Sequence, residues 1–186
     1  MSPVAAPVTS PDAQVAAART RAGLLDLSDR GVMSLVGPDA RRFCNGMFTN
    51  NVRDVPVGVA RASAMVDDKA RIQGLIDLWC VEAASFLAVL EGVTPEAFEA
   101  RYGKYIIFDD VELGDESAAL GLVGVQGPEA AAVLGRAGLP TPGEEGGVGD
   151  GLGRSGPPRA NSRIATMPSR QAAWAITRRA PGASSL

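Results

Sequence analysis

The sequence predicts an α+β fold, with a mostly antiparallel sheet, packed helices and a disordered C-terminal tail. Three observations lead there. Short apolar runs of strand length alternate with helix-starting motifs, without the strict β-α-β rhythm of a parallel sheet. Hydrophobic residues make up 46% of the 186, enough to build a buried core. From residue 140 onward the texture changes: residues 140–160 hold seven Gly and four Pro, and no apolar periodicity survives. The expected organisation is a flexible N-terminus over 1–11, one domain over 12–139 and a Gly/Pro/Arg-rich tail over 140–186.

Each element has a local reason. A helix is expected from Asp12 to Ala22, capped by the Asp12 carboxylate and ended by Gly23 in a left-handed conformation. Leu24–Ser28 and Val32–Val36 read as short strands. Gly37-Pro38-Asp39 breaks the second and starts a helix running to Met47, with proline in the first turn where its missing N–H costs nothing. That helix places Ala40, Phe43, Cys44 and Met47 on one face at i, i+3, i+4, i+7 spacing. Val59–Val66 and Ile72–Val81 form a hairpin through Asp67-Asp68-Lys69-Ala70-Arg71, and Ser85–Leu90 adds another strand. Thr94-Pro95-Glu96 opens a third helix, with Ala97, Phe98 and Tyr102 as its apolar face. Tyr105–Phe108, Val111–Leu113 and Ala119–Gln126 read as strands. Gly127-Pro128-Glu129 repeats the earlier Gly-Pro-acid design and opens a helix to Arg136, hinting at an internal repeat. In the tail, Gln171–Ile176, carrying Trp174, is the one amphipathic piece.

Composition excludes several chemistries. The chain has no histidine, which rules out Ser-His-Asp triads, Cys-His pairs and imidazole zinc sites. Its two cysteines, Cys44 and Cys80, cannot build a four-thiolate zinc site or a disulfide framework, and both read as inert core residues. The paired acids Asp67, Asp68, Asp109 and Asp110 lie in turns and read as solvated, so no metal site is expected. Residues 121–127 outline a dinucleotide fingerprint, but Pro128 and the missing ribose-binding acid argue against it. Residues 1–150 carry 12 Lys/Arg and 21 Asp/Glu, whereas 151–186 carry six Arg and no acid. The acidic body disfavours direct nucleic-acid binding. No apolar run approaches the roughly 20 residues that span a bilayer, the N-terminus lacks an export signal, and a cytoplasmic location is expected.

Five blocks, in order over residues 22–128, carry a family resemblance. Ala22–Gly31 with Leu35–Phe43, Thr49-Asn50-Asn51-Val52, Asp67–Arg71, Lys104–Leu113 and Leu122–Pro128 together resemble the aminomethyltransferase folate-binding (GcvT/YgfZ-like) family, over its N-terminal domain. Lys104-Tyr105-Ile106-Ile107-Phe108 and the lysine-containing turn lean towards the YgfZ branch over the glycine-cleavage T-protein. The resemblance implies a domain that binds tetrahydrofolate. In T-proteins a carboxylate near the folate nitrogen assists transfer of an aminomethyl carbon; YgfZ-like proteins bind folate and support iron–sulfur proteins and tRNA modification. The expected partner is therefore a small-molecule folate.

The departures bear on activity. Aligned without gaps, the T-protein's paired acids fall on Gly74 and Leu75, leaving Asp77 as the nearest candidate catalytic acid. The YgfZ signature Lys-Gly-Cys-Tyr-x-Gly-Gln does not occur. Asn51, Lys69 and Arg71 are the residues carried over as folate-binding candidates, the two cations suiting a ligand's glutamate tail. The later domains of the family are not recognisable, and the Gly/Pro/Arg-rich end reads like a truncation or a shifted reading frame. The chain is expected to be an incomplete YgfZ-like folate-binding protein, not catalytic alone; the alternatives are an aminomethyltransferase of the T-protein type, transferring a one-carbon unit to tetrahydrofolate, and a scaffold domain that has lost the site.

Overall fold

The hydroxyls of Ser10 and Thr94 each sit over the first turn of a helix that begins with proline, accepting hydrogen bonds from the backbone N–H of Ala13 and Ala97. A computed structural model describes residues 10–137 and the strands 148–150, 163–166 and 172–178. The first repeat of elements is α1 (Pro11–Thr20), β1 (Gly23–Asp26), β2 (Val32–Val36), α2 (Ala40–Met47), β3 (Val59–Val66), β4 (Ile72–Glu82) and β5 (Ser85–Glu91). The second is α3 (Pro95–Tyr102), a 3-10 turn at Gly103–Tyr105, β6 (Glu112–Asp115), β7 (Leu120–Gln126), α4 (Ala130–Arg136), β8 (Val148–Asp150), β9 (Arg163–Thr166) and β10 (Ala172–Arg178).

Among the described residues the strands form two antiparallel sheets, ordered β6-β2-β5-β4-β3 and β1-β7-β10-β9-β8. The orders are equivalent. In each, a strand ending in Gly-Pro-acid is followed by a helix and then a three-stranded meander whose last strand returns to pair with it. The short strand that opens each repeat crosses over: β1 pairs with β7, and β6 pairs with β2. The echo hinted at by the two Gly-Pro-acid motifs is thus a duplicated unit with exchanged first strands.

The two motifs share one geometry. Gly37 and Gly127 take φ of 146° and 121°, in the region that favours glycine. A Cβ on Gly37 would collide with the Asp110 carbonyl, and one on Gly127 would lie 2.6 Å from the Ala18 and Arg21 carbonyl oxygens. The same neighbouring segments accept the next free amides: Asp39 N–H donates to the Asp110 carbonyl and Glu129 N–H to that of Arg21.

Strand alternation builds the layers. The β4 residues Ile76, Leu78 and Cys80 face α2 and α3, in a core with Phe43, Cys44, Phe98 and Tyr102. Trp79, on the opposite face, packs with Ala60 and Val89 against Leu122 of β7. Val125, on the other face of β7, packs against Ala130 and Leu134 of α4. The order is helices, sheet, sheet, helix.

Several expectations are corrected in detail. The cap of α1 is Ser10 rather than Asp12, because Pro11 takes the first helical position. Gly23 opens β1 without a positive φ; its glycine answers close packing, since a Cβ there would stand 2.8 Å from that of Ala18. Ala97 is exposed, leaving Phe98 and Tyr102 as the buried face of α3. Tyr105–Phe108 is a turn and loop, not a strand. The Arg101 and Lys104 cations stand over the Tyr105 ring, Ile106 alone reaches the core, and pairing with β2 begins only at Glu112. Within 140–186, β8, β9 and β10 are paired strands; the remainder of that segment, on which the expectation of a disordered tail falls, and residues 1–9 lie outside the described residues. A seven-position ladder to β7 gives the weakly patterned β10 the partner that its own sequence does not advertise.

Candidate functional site: a buried carboxyl between the sheets

Asp77 lies in the middle of β4, opposite Ala62 on β3 and Val89 on β5. Odd-numbered residues of β4 face the second sheet, so its carboxyl is held between the two sheets with only 8% of the residue exposed. None of the described residues donates a hydrogen bond to it. Burial pushes its pKa up from the ordinary carboxyl value of 3.8 to about 6; nearby Arg30 opposes the rise and Glu91 adds to it. Two residues along, on the same face, the Trp79 indole N–H is buried without an acceptor among the described residues. The Asp77 carboxyl, which keeps a little exposure, and the unmatched Trp79 donor therefore share one face, and the buried indole N–H is costly unless something polar meets it.

The surroundings are small and apolar on one side and charged on the other. Ala60, Ala62 and Ala64 lie opposite Trp79, Asp77 and Leu75. Arg30 reaches Glu91 at 2.8 Å, and a recess of about 320 Å³ opens beside this pair, walled by Asp26, Asp29, Gly31 and Gly92 among others. Asp77 is on the neighbouring strand and is not one of its walls.

The candidate ligand residues fall in two places. Asn51 is exposed and its side-chain oxygen accepts from Arg53 N–H, forming an Asx turn. The loop around it is rigid: Arg41 donates to the carbonyls of Val52 and Val55, and the Asn45 side chain accepts from Val52 and Arg53. Asn50, which sequence reasoning passed over, is the residue that touches the strand beside Asp77. Its amide donates to the Ala62 carbonyl at 2.9 Å, while Thr49 accepts from Ala64 N–H. These two side chains occupy hydrogen-bonding positions on the outer edge of β3.

Lys69 and Arg71 sit at the hairpin tip. Asp67 organises this turn, accepting from the backbone N–H of Lys69 and Arg71 and from the Arg71 guanidinium at 2.8 Å. Those bonds, chiefly the Arg71 backbone one, hold Asp67 below its usual pKa. Arg101 clasps Asp68 at 2.7 Å, tying the tip to α3. Six residues of strand separate Arg71 from Asp77, about 20 Å at ~3.3 Å per residue. The tip cations and the buried acid thus mark two ends of a strip, not one pocket. Cys44 and Cys80 are buried on the helix side of the same sheet; burial pushes the Cys44 thiol up to about 12, and Cys80 sulfur lies 3.1 Å from the Arg41 guanidinium.

Comparison with known proteins bears on what this fold is. An aminomethyltransferase from Rubrobacter xylanophilus is 32% identical over 120 residues, and one from Streptomyces coelicolor 30% identical over 118; in each case 63% of this chain and 32% of the relative are covered. The chain therefore spans about a third of the length of these curated relatives. The glycine cleavage aminomethyltransferase T structure from Bartonella henselae superposes with a TM-score of 0.77 at 21% identity, over 92% of this chain and 46% of that one. Heterotetrameric sarcosine oxidase from Corynebacterium gives 0.53 at 17% identity, covering 92% and 87% of the respective chains. Both structural likenesses show the shared fold. The GCVT N-terminal domain model matches residues 8–139, well over half the sequence, so the chain belongs to the GCVT N-terminal domain family.

Proposed function

We propose that this domain binds tetrahydrofolate along the inter-sheet face around Asp77, as the N-terminal part of an aminomethyltransferase-type protein of the cytoplasm. A flat pterin needs an apolar slot and a carboxylate for its donor edge. The alanine row of β3 with Leu75 and Val89 offers the first, and Asp77 the second. The observation that carries the reading is the buried Asp77 carboxyl, which has no hydrogen-bond donor among the described residues. A carboxyl titrating near neutrality is also suited to holding or releasing a proton at a folate nitrogen. Lys69 and Arg71, at the far end of the strip, would meet the ligand's glutamate tail, Arg71 only by sharing its guanidinium with Asp67. Asn51 would act through the loop that Asn50 fastens beside Ala62.

Calorimetric titration with tetrahydrofolate tests this. Asp77→Asn is expected to weaken binding about tenfold or more, the scale of a lost charge-assisted hydrogen bond. Wild-type protein that takes up no folate at about 1 mM, or an Asp77→Asn protein that binds as tightly as wild type, defeats the proposal. The Lys104–Phe108 segment favours a second reading, a YgfZ-like folate protein serving iron–sulfur maintenance or tRNA modification. Folate bound without any aminomethyl transfer in the full-length protein would select it.

A further inference from the structure

The duplication makes it possible to ask what each repeat has that the other lacks. Matching the capping residues, Ser10 with Thr94, places Gln14 where α3 has Phe98 and Ala18 where it has Tyr102. In the first sheet those two aromatics are fully buried and fill the space beneath α3, stacked edge-on with ring centroids 4.8 Å apart. In the second sheet the equivalent space is a recess of about 780 Å³. It is walled by Gln14, Ala17, Ala18, Leu24, Gln126 and Pro128, with Leu24 left 73% exposed. No residue of α1 is buried. The α1 helix has the position of α3 without the side chains that would seal it.

The same molecule carries apolar side chains without a seat. Beyond the 3-10 turn, Ile107 is 69% and Phe108 92% exposed. This loop is held out firmly: Arg42 reaches Asp109 at its base, and the Asp39 carboxylate accepts from Asp110 N–H. An exposed Phe and Ile on a fixed loop form the kind of apolar feature that marks an interaction site. The loop lies beside α2 on the helix face of one sheet, and the recess lies under α1 on the helix face of the other. With both sheets between them, one molecule cannot place its own Phe108 in its own recess.

We propose that a second copy of this chain supplies the occupant: Phe108 of one molecule seats in the α1–β1 recess of the next. The counterpart of this recess, beneath α3, is filled by aromatic rings, those of Phe98 and Tyr102. The charges agree at one point, since exposed Asp110 and Glu112 follow Phe108 while Arg19 borders the recess; Arg21, next to it, is already paired with Glu129 at 3.9 Å. Knob and recess are different patches, so the contact is head-to-tail and each molecule keeps one free knob and one free recess. One aromatic anchor with a charged rim belongs to the small, transient class of interfaces.

Sedimentation velocity of the 186-residue protein over a concentration series up to about 1 mM tests this, that being the limit of weak association. Wild type is expected to show concentration-dependent species beyond the dimer. Phe108→Ser, at an exposed position, and Gln14→Phe, which seals the recess as Phe98 seals its counterpart, should each weaken association about tenfold or more. Because one variant keeps the recess and the other the knob, an equimolar mixture should recover association and stop at one-to-one. A wild type that stays monomeric throughout, association that survives either substitution, or a mixture that does not recover overturns the proposal. Unchanged melting of Phe108→Ser separates lost docking from lost folding.

Discussion

At the level of single residues, Asp77 controls what is most testable. Its folded-state pKa of about 6 lies above the ordinary 3.8, so the native protein holds a proton that the unfolded chain has released throughout that interval. Below about pH 4 both states are protonated and the group contributes nothing. As pH rises from about 4 to about 6 stability falls, by a total on the order of 3 kcal/mol, and above that the cost is constant. Replacing Asp77 with Asn should flatten this part of the stability–pH curve, which urea unfolding at several pH values would show. A slope unchanged in the variant would mean that some other group carries it. Asp77 was legible as a candidate through the family resemblance, as the acid nearest Gly74 and Leu75, where the T-protein's paired acids would align. Its burial was not, because that follows from a second sheet lying across the strand, and no local pattern encodes that contact.

At the level of elements, the hairpin between β3 and β4 shows how far local sequence reaches. Asp67 five positions before the apolar strand marked a turn, and the turn forms with its carboxylate gathering two backbone amides and a guanidinium. Ala70 at its tip takes φ of 58°, a left-handed conformation that costs an L-residue roughly 1–2 kcal/mol. Glycine relieves that strain, offset by its greater freedom in the unfolded chain. Ala70→Gly should therefore raise stability by about 1 kcal/mol in thermal or urea unfolding; a loss of stability would mean that the strain is not there. The loop after α3 shows the limit of the same method. Tyr105-Ile106-Ile107-Phe108 has the composition of a strand, yet a strand needs an edge to pair with. The available edge of β2 is taken up from Glu112 onward, so the apolar run is left as an exposed loop.

For the whole molecule, the repeat decides what residues 140–186 mean. Sequence texture set a boundary at 139, because glycine and proline hide any pattern beyond it, and the family match over residues 8–139 ends at the same place. Sheet pairing crosses that line. The second repeat needs a meander to complete it, as β3, β4 and β5 complete the first, and β10 lies along all of β7 from Leu120 to Gln126. On its other side β7 is covered by β1 over four positions only. A chain ending at residue 139 would leave a full edge of β7 open, with Val123 and Val125 beside it, and such an edge invites pairing between molecules. The 1–139 protein should then melt more than about 5 °C below the full chain, roughly 2 kcal/mol at ~2–4 °C per kcal/mol, and scatter light as its concentration rises. If instead limited proteolysis yields a fragment ending near 139 that melts with the intact protein, the β7–β10 ladder contributes nothing measurable and the first 139 residues fold independently. The two outcomes assign the second sheet either to a unit closed by its own meander or to one that is complete with β1 and β7 alone.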